Sequence, residues 1–133
     1  MVSISNKVDH FYHKPRVGID YFMELASKAN GSLISFSGHL GSRLETAVVD
    51  NPNWQSDGIR EAERLQEAFG KGNFYIEIQL IDSLINQKAK EVAEKLREIS
   101  KLTKIPCVAT PDAHYCRRED AHDQRVLMCT SLR

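Results

Sequence analysis

An α/β fold organised on a parallel sheet is predicted for this chain, and three observations predict it. Helix-period and strand-period segments alternate along the sequence. The stretch Asn73 to Leu80 (NFYIEIQL) alternates apolar and polar residues in the manner of a half-buried strand. Three candidate strands also share a pattern, with polar residues at one parity late in each. Such an order places helices outside a parallel sheet.

From Asp20 to Ala29 the apolar residues Tyr21, Phe22, Leu25, Ala26 and Ala29 recur at helical steps, and Asn30-Gly31 supplies the stop. Ser32 to Ser37 is short, apolar and closed by Gly38, which predicts a buried strand. Gly41 to Val49 and Ser56 to Phe69 both read as helices, separated by the breaker Asn51-Pro52-Asn53 and ended by Gly70. After the Asn73 to Leu80 strand the period changes. Ile85, Ala89, Val92, Leu96 and Ile99 fall on one helical face behind Ser83 as the cap, with Lys88, Glu91, Lys95 and Lys101 on other faces. Ile105 to Thr110 is a third strand, Pro111 to Arg117 a loop, and Arg118 to Cys129 a final helix. The chain reads as one structural unit over residues 1–133, without repeats or linkers. Three strands fall short of a full barrel of alternating strands and helices, which takes about 200 residues or more. Part of a barrel is the expectation.

Composition narrows the function. Residues that are 41% hydrophobic and 27% charged argue for a packed domain rather than a disordered one. Eighteen basic and eighteen acidic residues cancel, so no excess positive charge grips a phosphate backbone. The opening MVSISNKVDH has neither the basic start nor the apolar core of a secretory signal, and no apolar run approaches a membrane span. A cytoplasmic protein without a membrane partner is expected. Cys107, Cys116 and Cys129 are odd in number and never at C-x-x-C spacing, so neither a zinc ribbon nor a disulfide framework is indicated. Buried or partly buried free thiols are expected.

The chemistry is read from strand parity, since alternate side chains of a strand share a face. One parity carries Ser35, Ser37 and His39; another Tyr75, Glu77 and Gln79; a third Thr110, Asp112 and His114 if the chain stays extended beyond the strand. In a parallel barrel the reactive groups collect where strands run out at their carboxyl ends. Convergence there gathers His39, Glu77, Asp112 and His114, whose imidazole and carboxylate groups suit zinc, manganese or iron. A plainer reading stands beside it: His39 as a hydrogen-bonded structural residue, and Glu77 as the partner of a basic side chain. His10, His13, Lys14 and Arg16 read either as a solvated arm or as a contact to phosphate or to the edge of a metal site. Asp123, beside His122 early in the last helix, offsets the helix dipole with or without a further role.

FYHKPRV at Phe11 to Val17, SFSGHLG at Ser35 to Gly41, NFYIEIQ at Asn73 to Gln79 and PCVATPDAHYCRREDAHDQRVLMC at Pro106 to Cys129 together resemble a known family. They are similar, in order and spacing, to the second half of the PHP (polymerase and histidinol phosphatase) domain of bacterial DNA polymerase III alpha subunits. The resemblance runs from about Phe11 to Leu132. It implies a distorted, TIM-like barrel of seven strands and helices, of which this chain holds about three strands. It also implies that His39, Asp112 and His114 are metal ligands, with zinc or manganese bound. Glu77 and the Tyr12 to Arg16 stretch match characteristic positions, Glu77 as a possible catalytic group and Lys14 and Arg16 as phosphate contacts. Many relatives carry cysteine at the position of His39, and Pro111 replaces an asparagine common before the aspartate.

Two absences accompany the resemblance. The H-x-H motif and further ligands expected before Phe11, and the palm aspartates of nucleotidyl transfer, are not in the sequence. The expectation is a fragment that is by itself neither a polymerase nor a complete nuclease. Its parent would be a DNA-directed DNA polymerase using magnesium, DNA and deoxynucleoside triphosphates within the replisome, with a metal-dependent phosphoesterase or 3'-5' exonuclease site. The alternatives are a free-standing phosphoesterase of histidinol-phosphatase type and a non-catalytic structural module of a polymerase.

Overall fold

The structure, a computed structural model, describes residues 11–12, 14–15, 17–38, 41–79 and 87–131. Phe11–Tyr12 (β1) and Lys14–Pro15 (β2) form a short antiparallel pair. Helix α1 (Ile19–Lys28), strand β3 (Ser35–Phe36), helices α2 (Arg43–Val48) and α3 (Trp54–Phe69), strand β4 (Phe74–Gln79), helix α4 (Gln87–Thr103) and strand β5 (Cys107–Thr110) follow. A 3-10 turn, Arg118–Asp120, leads into α5 (Ala121–Ser131). The predicted order of helices and strands is therefore observed, with the β1–β2 pair added in the segment read as an arm. Ser83, Ile85 and Leu80 lie outside the described residues.

Strands β3, β4 and β5 form one parallel sheet in sequence order, with β4 central. Strand β4 shows the predicted alternation: Phe74, Ile76 and Ile78 are buried, while Tyr75, Glu77 and Gln79 are half-buried. The buried row faces α3 and α4. Around it gather Leu44 and Val48 of α2, Ala62, Leu65, Ala68 and Phe69 of α3, and Val92, Leu96 and Ile99 of α4. The α4 residues are those the helical periodicity placed on one face. Phe69 stacks on Phe74 with ring centroids 6.3 Å apart, and Phe22 of α1 meets Phe69 at 5.7 Å in a tilted arrangement. Aromatic area of this kind contributes more per residue than any surface ion pair.

Local chemistry sets the boundaries. Helix α1 ends as Asn30 and Gly31 take left-handed backbone angles (φ 48° and 79°), the stop predicted for them. Between α2 and α3, Asn51 bonds in three directions. Its side-chain amide donates to the Ala47 carbonyl at 2.8 Å and to Asp57 Oδ2 at 2.9 Å, and its Oδ1 accepts from Asn53 N–H at 2.9 Å. One residue thus closes α2 and opens α3. Glycine is required within α3: a Cβ at Gly58 would lie 2.3 Å from Ile99 Cδ1 and 2.9 Å from Val48 Cγ1. The bare backbone there lets α2, α3 and α4 meet.

Three expectations need correction. Ser35 and Ser37 do not share a face with Glu77. The register pairs Ser35 with Phe74 and Phe36 with Tyr75, so the serines belong to the helix-packed side. Phe36, half exposed at 50%, shares the other face and meets Tyr75 edge-on at 6.2 Å. The alternation within β3 was right, but its facing is set by the register with β4. Second, the chain does not stay extended beyond β5, because Asp112 has φ 52°. Third, all three cysteines are exposed. Cys107 sits on the edge strand, Cys116 in the loop between β5 and the 3-10 turn, and Cys129 on α5, whose described residues are mostly exposed.

Candidate functional site at the carboxyl ends of the strands

Strands β3 and β5 each run out into a turn whose first residues are fixed by side chains. At the end of β3, Ser37 N–H donates to the Tyr75 carbonyl at 2.9 Å. The next bond of a parallel ladder would run from Glu77 N–H to the Ser37 carbonyl. Instead Glu77 N–H donates to Ser37 Oγ at 2.9 Å. The serine hydroxyl thereby ends the ladder while the backbone turns away at Gly38, whose φ is 81°. A Cβ at Gly38 would stand 3.1 Å from Ser42 Cβ, so the turn is tight as well as left-handed.

The far side of this turn is held by the first turn of α2. Ser42 caps the helix, accepting from Glu45 N–H at 3.3 Å, and buried Glu45 accepts from Gly41 N–H at 2.8 Å. A serine cap answered by a glutamate three residues on is the sequence mark of a capping box, with the carboxylate here reaching one residue further back. His39 itself lies outside the described residues.

At the end of β5, Thr110 Oγ1 donates to Glu77 Oε1 at 2.7 Å. Glu77 therefore pairs with a hydroxyl rather than with the lysine or arginine of the plainer reading. Thr110 is followed by Pro111, which favours extended backbone in the residue before it. Asp112 then adopts its left-handed conformation, which aspartate tolerates better than most residues. The reversal brings His114 back, and its Nδ1 lies 2.7 Å from the Asp112 carbonyl oxygen. An Nδ1–H donated to that carbonyl leaves Nε2 with its lone pair free, the arrangement common to metal-binding histidines. Both Asp112 and His114 are exposed.

The structure thus brings together Glu77, Thr110 and, through the backbone, Ser37, and it pairs Asp112 with His114. Among the described residues no group of three or more histidine, cysteine, aspartate or glutamate side chains forms a metal cluster. Lys14 lies in β2, its backbone paired with Tyr12, and Arg16 lies outside the described residues. Sequence reasoning missed Ser37, Glu45 and Thr110 as organising groups. A signal for one was present, the Ser42-to-Glu45 capping spacing. No described helix is long and apolar enough to cross a membrane.

The PHP domain family matches residues 1–80. The chain is 35% identical over 125 residues to a DNA polymerase III subunit alpha of Thermus aquaticus, an alignment covering 91% of this chain and 9% of that protein. It is 32% identical over 122 residues to the DNA polymerase III subunit alpha of Treponema pallidum, covering 92% and 10% respectively. The subunit of the same name from Aquifex aeolicus is 32% identical over 125 residues, again covering 92% and 10%. The chain spans about a tenth of the length of these relatives.

Proposed function

The chain belongs to the PHP domain family, and from that premise we propose that it supplies one rim of a divalent-metal site in the PHP region of a DNA polymerase III alpha subunit. The ligands are Asp112 and His114 from the β5 loop and His39 from the turn after β3. Zinc or manganese suits this set of imidazole and carboxylate donors. The remaining donors come from elsewhere in the seven-stranded barrel to which the three parallel strands contribute. One observation carries the reading: His114 Nδ1 is engaged by the Asp112 carbonyl at 2.7 Å, which leaves the Nε2 lone pair for a ligand.

A divalent ion bound there would polarise a phosphate ester and lower the pKa of a bound water. The chain's own residues hold the donors in place, with Asp112 setting the loop reversal and the His114 tautomer. Lys14 and Arg16 supply positive charge for a phosphate oxygen. In the parent this site serves phosphoester hydrolysis, including removal of a 3' terminal nucleotide, beside a magnesium-dependent polymerase centre acting on DNA and deoxynucleoside triphosphates.

Metal stoichiometry tests the assignment. The parent alpha subunit, equilibrated with Zn2+ or Mn2+ and desalted, should retain metal that its Asp112→Ala/His114→Ala double variant loses. Equal metal content in the two proteins would refute the ligand assignment.

A further inference from the structure

We propose that Glu77 is the positioning residue of this rim, holding the β5 loop so that Asp112 and His114 keep their relative geometry, and that it is not itself a metal ligand. The proposal deepens the metal-site reading and rests on it for its functional consequence. Three observations meet at Glu77. It lies on the central strand, with a neighbour on either side. Its backbone N–H is fixed by the hydroxyl of Ser37, which is only 9% exposed. Its carboxylate accepts the Thr110 hydroxyl at 2.7 Å.

The register makes the last contact informative. Glu77 is level with Val108, and Thr110 is level with Gln79, so the side chain leans two residues along the sheet toward the carboxyl end. Its oxygen meets the last residue of β5, after which the chain leaves the sheet. Thr110 has one Cβ carrying both the hydroxyl and a methyl, so fixing Oγ1 fixes χ1 and with it the departure of the chain into Pro111. Two residues later the Asp112 carbonyl must stand where it accepts from His114. A hydrogen bond to a carboxylate is stronger than one between neutral groups, and this one lies on the half-buried face of the sheet.

The test uses Thr110→Val, which keeps the shape and removes the hydroxyl, and Thr110→Ser, which keeps the hydroxyl. Two properties are read: the ratio of Nδ1–H to Nε2–H tautomers of His114 in the full 133-residue chain, from imidazole 15N shifts without metal, and the Zn2+ dissociation constant of the alpha subunit by calorimetry. Thr110→Val should lower the tautomer ratio about tenfold and weaken Zn2+ binding about tenfold, the scale of one charge-assisted hydrogen bond. Thr110→Ser should restore both to within about twofold of the parent. Glu77→Gln, which retains an acceptor oxygen, should fall between them and decides the matter if the valine variant does not fold. An unchanged tautomer ratio in Thr110→Val and Glu77→Gln overturns the positioning role. An unsubstituted alpha subunit that takes up neither Zn2+ nor Mn2+ overturns the metal reading instead, and the tautomer ratio of the 133-residue chain still judges Glu77.

Discussion

Replacing Gly58 by alanine pits helix propensity against packing. Alanine is favoured over glycine in a helix interior by about 1 kcal/mol, so a solvent-facing position would gain stability. At Gly58 the new methyl would meet Ile99 Cδ1 at 2.3 Å and Val48 Cγ1 at 2.9 Å. Contact distances between carbon atoms are about 3.5–4.0 Å, so the Ile99 methyl must retreat by more than about 1 Å. Val48 and Ile99 are both fully buried, so a shift of either methyl presses on the surrounding core. Overpacking costs about 1–3 kcal/mol, and two clashes in a closed environment belong at the upper end. Subtracting the propensity gain leaves Gly58→Ala less stable by about 2 kcal/mol.

Urea unfolding followed by far-UV circular dichroism and by fluorescence of Trp54, the sole tryptophan, measures the change. Trp54 packs against the core and lies beneath the Lys95 ammonium, 5.6 Å from the ring centroid. Its emission therefore reports the α3–α4 contact directly. Ile99→Val supplies the control, because it deletes the nearer of the two clashing atoms. Alone it costs about 0.5–1.5 kcal/mol. Combined with Gly58→Ala it should restore most of the loss, a coupling of about 1–2 kcal/mol. Strict additivity, or a Gly58→Ala chain more stable than its parent, would refute the three-helix packing described above.

Other outcomes follow from the same geometry. Phe74→Ala should cost about 3–5 kcal/mol, since Phe74 is fully buried against Phe69, whereas Phe36→Ala should cost about 1 kcal/mol; equal losses in urea unfolding would contradict the β3–β4 register. Glu45→Ala should cost about 1–3 kcal/mol by stranding the Gly41 N–H, and Glu45→Gln, which keeps the acceptor, should recover most of it in the same assay. The Asn51 amide, followed by Arg60, holds the Asp57 carboxyl below the ordinary carboxylate range. A depressed folded-state pKa adds stability that is present above the unfolded-state pKa and is lost as pH falls through the folded value. Asn51→Ala should raise the Asp57 titration midpoint, read by carboxyl 13C shifts, and move this acid-side loss to higher pH; an unmoved midpoint would break the link.

How much of this was legible in the sequence depended on the range of the forces involved. Strand β4 could be read because six successive residues alternate and the burial of Phe74, Ile76 and Ile78 follows from that pattern alone. The α4 face was legible for the same reason, through Val92, Leu96 and Ile99. Strand β3 could not be oriented this way. It is two residues long, and whether Ser35 or Phe36 faces the helices is decided by pairing with residues almost forty positions away. The extended passage from Thr110 to His114 failed at one dihedral angle, that of Asp112. Aspartate is common in turns of several kinds, and its identity alone does not choose among them.

The span of the family match sharpens what Glu77 does. The PHP domain match ends at residue 80, inside which Glu77 falls, while Asp112 and His114 lie beyond it. What joins the two regions physically is the β4–β5 ladder, four residue pairs long, and the Thr110 hydroxyl on the Glu77 carboxylate. Helix α4 spans the connection on the other face, its Val92, Leu96 and Ile99 packed into the same core as Phe74, Ile76 and Ile78. Backbone pairing fixes how far β5 advances along β4, and the Glu77–Thr110 bond fixes how β5 leaves the sheet. Moving β5 by one residue relative to β4 would turn Thr110 onto the opposite face and separate it from Glu77. The geometry of the Asp112–His114 pair is therefore a consequence of sheet register, transmitted through one carboxylate on the central strand.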